Sequence, residues 1–212
     1  MEETAMPKGT PERTAARREE IIRACEKLYQ TMSFKDITLK EIGNETSFSR
    51  PTIYNYFQTK EEIFLALFEL EYDRWNEDLG KILEENEALE REEIAEKIAR
   101  SLEKREQLLK LLSMNNFDME AESRPERLVS FKRAYGESLK NVRRILDRFC
   151  PDMEEAEKEE VLYAFFPFMF GIYPYAKATE KQLTAMREAD VNYTEHSVYD
   201  LTKSCLCRLL NA

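Results

Sequence analysis

The 212-residue chain is poor in residues that interrupt helices, with five glycines and seven prolines. Together with 35% charged residues and few β-branched runs, that scarcity favours an all-α chain. No glycine-rich phosphate loop occurs. His196 is the only histidine, so a histidine-dependent triad would rest on it alone, and no cysteine lies at zinc-ligand spacing to support a metal site. Cys25, Cys150, Cys205 and Cys207 form no Cys-x-x-Cys pair. Cys205 and Cys207 lie two apart on a helical stretch and face different directions. Buried or interfacial thiols are expected, with redox sensing as the alternative. The most apolar run, 163–175, is too short and too broken by Pro167 and Pro174 to span a membrane. Met1 to Pro11 is polar and of mixed charge, without the apolar core of a signal peptide, so a reducing cytoplasm is the expected setting. No cofactor, nucleophile or general base is nominated, and no enzymatic activity is expected.

The length suits one large or two small domains with a proper core. The net charge of −10 argues against nucleic acid when taken whole. It is unevenly divided: residues 1–60 hold 10 Lys+Arg and 9 Asp+Glu, whereas residues 61–212 hold 22 and 33. A near-neutral end on an acidic body would turn that end toward DNA.

Residues 38–60, TLKEIGNETSFSRPTIYNYFQTK, contain three closely spaced helix starts. Thr38-Leu-Lys-Glu41 reads as a capping box, the Thr38 hydroxyl accepting from the Glu41 amide and the Glu41 side chain reaching back to the Thr38 amide. Ile37 and Ile42 form its hydrophobic staple. Ser49 repeats the pattern with Phe48 and Ile53, and Pro51 falls in the first turn, where a missing N–H costs nothing. Thr59-Lys-Glu-Glu62 is a second box. Two helices of about two turns each, followed by a longer one, outline a helix-turn-helix. The second helix carries Arg50, Thr52, Tyr54, Asn55 and Tyr56, side chains able to contact bases or phosphates.

SFSRPTIYNYFQTKEEIFLALF, together with Arg17 to Cys25, Leu28-Tyr29, Phe34, Ile37-Thr38 and Ile42, resembles the DNA-binding segment of the tetracycline-repressor (TetR) family of bacterial regulators. The resemblance covers roughly residues 13–70. It implies base contacts from Arg50 and Pro51, and phosphate contacts from Thr52, Tyr56 and Lys60. Tyr54 would serve a phosphate or the neighbouring base, while Thr38 and the helix starts at Ser49 and Lys60 would lie near the backbone. Asn55 has no evident packing duty and joins the set. Two positions depart from the family pattern: Ser33 stands where a glycine is usual, and the turn reads Thr46-Ser47-Phe48-Ser49 rather than Ala-Gly-Val-Ser. A turn without that glycine is expected to be built differently.

The expected organisation is a tail (1–12), a helix-turn-helix domain (13–62) and a helical effector-binding and dimerisation domain (63–212). Apolar spacing predicts a first helix to about Met32 and a helix from Thr59 to the Leu83 region. Further helices are expected over about 90–113, 125–149, 153–176, 179–189 and 195–210, with a polar break at 114–123. Arg13, Arg17 and Arg18 either reach phosphates or are solvated helix-start charges. The aromatic stretch Tyr163–Tyr175 has three readings: buried core, a homodimer interface of the last two long helices as the resemblance implies, or a pocket lining. Pro167 is expected to kink its helix. The resemblance also implies an effector cavity, with candidate walls Trp75, Leu79, Met114, Phe117, Phe131, Tyr135, Phe165 and Met169, suited to a small apolar or aromatic ligand. The expected function is a ligand-responsive, homodimeric repressor on a pseudo-palindromic operator. A regulator-like interaction module without DNA binding is the alternative.

Overall fold

A computed structural model describes residues 10–114 and 116–211. Among the described residues there are eleven α-helices and no strand. In chain order they are α1 (Pro11–Thr31), α2 (Leu39–Asn44), α3 (Arg50–Ile53), α4 (Lys60–Glu84), α5 (Arg91–Glu103), α6 (Glu106–Leu112), α7 (Asn116–Ala121), α8 (Pro125–Phe149), α9 (Glu155–Ala176), α10 (Glu180–Glu188) and α11 (Val198–Leu209). The chain divides into two compact units. One comprises residues up to Leu67 with Asp118–Leu128; the other comprises Phe68–Phe117 with the chain from Val129 onward. The all-α expectation holds. The first boundary falls five residues beyond the expected 62, and the first unit also takes in a distant segment that the sequence does not announce.

In the first unit, α1 begins inside the expected tail: Thr10 caps it, its hydroxyl accepting from the Arg13 amide at 3.4 Å, and Pro11 opens it. The core joins Ile21, Cys25 and Tyr29 of α1 with Ile37, Ile42, Ile53, Phe57 and Phe64, all buried. Phe64 stands edge-on to Tyr29 and Phe34, with ring centroids 5.2 and 4.7 Å away, the arrangement favoured by aromatic quadrupoles. Burial pushes the Cys25 thiol up, as for a small core hydrophobe.

In the second unit, an aromatic cluster from α4, α8 and α9 forms the centre. Tyr72 lies within 6.4 Å of the Phe68, Trp75, Phe131 and Tyr135 rings, and Phe166 meets Trp75 and Tyr135 at 5.9 and 5.8 Å. The buried Trp75 indole donates to Ser101 Oγ at 2.9 Å. The helix expected over 90–113 is two helices, because Arg105 leaves helical geometry (φ −111°, ψ 42°). Its guanidinium binds Asp78 Oδ2 through Nε and Nη2 at 2.8 and 2.6 Å. The expected polar break contains α7. Helix α9 continues through Pro167 and Pro174, both exposed. The carbonyls their missing N–H groups leave bare, those of Tyr163 and Phe170, belong to exposed residues that water can reach.

Candidate nucleic-acid interface

Helix α2 starts where expected, but its cap differs in detail. The Thr38 hydroxyl accepts from the Lys40 amide at 3.2 Å and donates to the Glu41 carboxylate. The carboxylate is thus engaged by the hydroxyl rather than by the Thr38 amide. At the third start, the Thr59 hydroxyl accepts from the Glu62 amide at 3.2 Å as expected. The Glu62 carboxylate does not return to Thr59; it accepts from the Gln58 amide at 2.9 Å and from Arg124. Ser49 caps α3 without a side-chain bond to the backbone, its Oγ lying 3.2 Å from Thr52 Oγ1.

The α2–α3 turn contains no residue with positive φ. Glu45 ends α2 at φ −93°, ψ 1°. The Thr46 hydroxyl lies 3.0 and 3.1 Å from the carbonyls of Gly43 and Phe48 and braces the turn from within. Helix α1 holds it from outside: Glu20 accepts from the Ser47 amide, Lys27 pairs with Glu45, and Arg17 lies over the Phe48 ring. A side chain thus performs the task for which a left-handed glycine is otherwise convenient. Gly43 faces the same turn. A Cβ there would meet Arg50 Cβ at 3.4 Å and Ile53 Cδ1 at 3.6 Å, ordinary contact distances, so the approach of α2 and α3 leaves room for a methyl group but for little more.

Helix α3 is one turn long, not two. It continues as a turn through Tyr54, Asn55 and Tyr56, with amide bonds from Asn55 to Thr52 O (3.2 Å) and from Tyr56 to Ile53 O (2.9 Å). Ile53 and Phe57 are fully buried and fix one side of this segment. Arg50, Pro51, Tyr54 and Asn55 are exposed, and Thr52 and Tyr56 half-buried. Arg50 Nη2 lies 3.4 Å from the Tyr54 hydroxyl, and among the described residues the Asn55 side chain makes no hydrogen bond. Arginine, amide and phenol groups are thus gathered on one outward-facing turn, the equipment of base and phosphate recognition.

Lys60 is placed otherwise. Its ammonium donates to the carbonyls of Phe34 and Ile37 at 2.8 and 3.3 Å and lies 4.1 Å from the Phe34 ring centroid. Two of its three donors therefore tie the start of α4 to the α1–α2 connection. Arg13 is exposed, while Arg17 and Arg18 are half-buried against Phe48 and Phe57.

Among the proposed effector residues, Trp75, Leu79, Phe131, Phe165 and Met169 are buried. Trp75, Phe131, Tyr135 and Phe165 meet in the aromatic cluster through Tyr72 and Phe166, which the sequence reading did not include. The i, i+4, i+7 spacing of Phe68, Tyr72 and Trp75 was the available signal. Met114 is half-buried, and Phe117 is 86% exposed and outside the cluster. A cavity of about 430 Å³ between α4 and α5 has a different character, with Asp78, Lys81, Glu93, Lys97 and Arg100 among its lining residues. Among the described residues no group of acidic, His and Cys side chains is arranged for a metal ion, and no helix is long and apolar enough to cross a membrane.

Three short helical starts around an exposed polar turn, followed by a body of helices, define a helix-turn-helix DNA-binding regulator. The profile "Bacterial regulatory proteins, tetR family" matches residues 21–67, and "Tetracyclin repressor-like, C-terminal domain" matches residues 69–202, more than half of the chain. The chain belongs to the tetR family of transcriptional regulators. It is similar to an HTH-type transcriptional regulator, YfiR, of Bacillus subtilis (strain 168), 33% identical over 78 residues, which span 37% of this chain and 38% of that protein. Among solved structures, the transcriptional regulator FadR from Bacillus subtilis in complex with stearoyl-CoA superposes with a TM-score of 0.58 at 18% identity, over 91% of this chain and 97% of that one. The fatty acid degradation regulator FadR from Bacillus halodurans superposes with a TM-score of 0.55 at 16% identity, over 97% of both chains. These likenesses show the fold.

Proposed function

We propose that the protein is a cytoplasmic, homodimeric repressor that reads a pseudo-palindromic operator with Arg50–Tyr56 and releases it when a small apolar or aromatic effector enters the second unit. The observation that carries this reading is the exposed polar turn anchored by buried Ile53 and Phe57. Two copies would place these turns in successive major grooves about 34–36 Å apart. Thr38, Ser49 and Thr52 would lie along the backbone, with Pro51 against a base edge. Tyr54 would reach a base or phosphate and Tyr56 a phosphate, with Lys60 contributing its remaining donor.

A second copy would pack on the last two long helices, and the surface of α9 supports this. Exposed Tyr163, Ala164, Pro167, Gly171 and Tyr175 form one stripe along α9, an apolar face suited to burial between helices. The effector reading is supported by the aromatic and methionine content around Trp75, Phe131, Tyr135, Phe165 and Met169, with Leu79, Met114 and Phe117 at its margins. A ligand there would displace packed rings. Because α4 carries residues of both units, that displacement would bias the dimer between DNA-fitting and non-fitting populations. A thioester such as the stearoyl-CoA bound by the Bacillus subtilis FadR is a rational first probe.

Arg50→Ala tests the reading. The expected result is a loss of about 1–3 kcal/mol on a duplex enriched from a random pool by the wild-type protein, with little change on random DNA. Equal losses on both would remove Arg50 from base reading. Absence of any salt-dependent wild-type binding would favour an interaction module instead.

A further inference from the structure

The first unit takes in a segment from the middle of the chain, Asp118–Leu128, and the reason is a set of bonds centred on Glu62. This residue has no exposed surface, yet its carboxylate is fully engaged. Oε1 accepts from the Arg124 amide at 3.2 Å and from Arg124 Nε at 2.5 Å; Oε2 accepts from Arg124 Nη2 at 2.8 Å and from the Gln58 amide at 2.9 Å. Burial alone pushes the Glu62 carboxyl up, but the bonds from Arg124 and the Gln58 amide hold it below the usual range.

The same guanidinium continues to the recognition turn. Arg124 Nη2 lies 3.4 Å from the carbonyl of Tyr56, and Arg127 Nη2 donates to that carbonyl at 3.1 Å. Arg127 also lies over the buried Phe57 ring, 5.4 Å from its centroid. The Thr59 hydroxyl donates to the Glu122 carbonyl at 3.2 Å. The backbone from Tyr56 to Thr59 is therefore held at two points from this segment, the Tyr56 carbonyl and the Thr59 hydroxyl, and at a third, the Gln58 amide, by Glu62, which pairs with Arg124.

We propose that Arg124 and Arg127 are positioning residues for DNA reading, fixing the end of the Arg50–Tyr56 turn through the Tyr56 carbonyl and, by way of Glu62, the Gln58 amide. The proposal rests on the reading turn identified above. A four-residue helix has too few internal bonds to hold its own orientation, and the hydrophobic side chains Ile53 and Phe57 anchor only its inner side. The guanidinium contacts act on the backbone just where the turn's own hydrogen bonding ends. They leave the Arg50, Asn55 and Tyr54 side chains open toward DNA.

The test uses the full-length protein, with binding to the enriched duplex and to random duplex of equal length measured across a salt series. Wild-type protein must first show salt-dependent preference for the enriched duplex; failure there removes the reading turn itself. Given that preference, Arg127→Ala and Arg124→Lys are each expected to weaken binding to the enriched duplex about tenfold or more. Binding to random DNA and the slope of log affinity against log salt should not change, because both guanidinium groups are spent on the Glu62 carboxylate or the Tyr56 carbonyl. Thermal unfolding confirms that each variant is folded at the assay temperature, and Arg127→Lys, which can still donate to the Tyr56 carbonyl, should recover part of the preference. Two results would overturn the proposal: unchanged preference in both folded variants, or parallel losses on both duplexes with a shallower salt slope. If Arg124→Lys does not fold, Arg127→Ala and its lysine counterpart decide alone.

Discussion

The two units use their unusual residues in opposite ways. In the first, charge serves the irregular backbone between helices: buried Glu62 accepts from the Gln58 amide, half-buried Lys60 donates to the carbonyls of Phe34 and Ile37, and an exposed polar turn remains over. In the second, aromatic side chains serve long helices, packing on one another around Tyr72 and Phe166, and an exposed apolar stripe on α9 remains over. In each case the side chains without a structural duty mark the surface available to a partner. The contrast also separates abundance from availability. The second unit is rich in aromatics, but the ones proposed to meet an effector are mostly in contact with other rings already.

The largest effect that would break this contrast is at Trp75. If its ring is core, Trp75→Ala should destabilise the protein by about 3–5 kcal/mol in chemical denaturation, also leaving Ser101 without its indole donor, while affinity for random DNA is retained. A loss below about 1 kcal/mol would make the ring a cavity wall instead. Next is Glu62→Ala in the first unit, expected to cost about 3 kcal/mol. That is the lower end for a broken buried pair, because Arg124 is 32% exposed and keeps its water. The sign of its pH dependence follows from the lowered Glu62 carboxyl. The contribution is complete above the unfolded value of about 4.3 and disappears as pH falls through the folded value. The stability gap between wild type and variant should therefore be flat near neutrality and close in acid. A gap that persists undiminished at pH 2 would show that packing, not the ion pair, had been removed.

The starts of α2 and α4 were legible at Thr38 and Thr59 because capping is local, each hydroxyl accepting from an amide two or three residues on; that of α3 was legible at Ser49 and Pro51 although Ser49 forms no such bond. The sequence also set Ile53 in a hydrophobic staple and left Asn55 without a packing duty; Ile53 is buried and Asn55 exposed. What local signals omit is competition from afar. Glu62 reads as the carboxylate of a capping box, three residues after Thr59, and Arg124, 62 positions away, takes that carboxylate. Arg105 interrupts an apparently continuous helical pattern at the point where its side chain pairs with Asp78, 27 positions back. Of the effector candidates that the resemblance implied, Trp75 and Phe131 lie in the aromatic cluster, but Tyr72, which shares a helix face with Trp75 by its spacing, and Phe166 join them there without having been named.

A smaller effect concerns Lys60, for which sequence and structure suggest different uses. Lys60→Met keeps the aliphatic stem and removes the ammonium from two carbonyls and the Phe34 ring. A charge-assisted bond of this kind contributes about 1.5–3 kcal/mol, so the variant should lose up to that much in thermal or chemical unfolding. Its salt slope on DNA should stay near that of wild type. Unchanged stability with a slope reduced by about one would return Lys60 to the phosphate role.

The smallest expected effect sharpens the comparison most, because it isolates geometry from chemistry. Gly43 lies in α2 facing Arg50, and a methyl there would meet Arg50 Cβ at 3.4 Å, which is ordinary van der Waals contact. Alanine also gains helix propensity of about 0.8–1 kcal/mol over glycine in a helix interior, less near the end of a six-residue helix. The two considerations together predict that Gly43→Ala leaves stability within about 0.5 kcal/mol of wild type, tending toward a gain, with operator preference unchanged. Gly43→Val adds branches that the gap to Arg50 and Ile53 cannot hold, and the recognition turn must move. Its preference for the enriched duplex should fall while binding to random DNA persists. If alanine alone abolished the preference, the spacing of α2 and α3 would be set by glycine to within a few tenths of an ångström. If valine were tolerated, the brace supplied by Thr46 would be yielding, and the orientation of the turn would depend on the Tyr56 carbonyl and its two arginines.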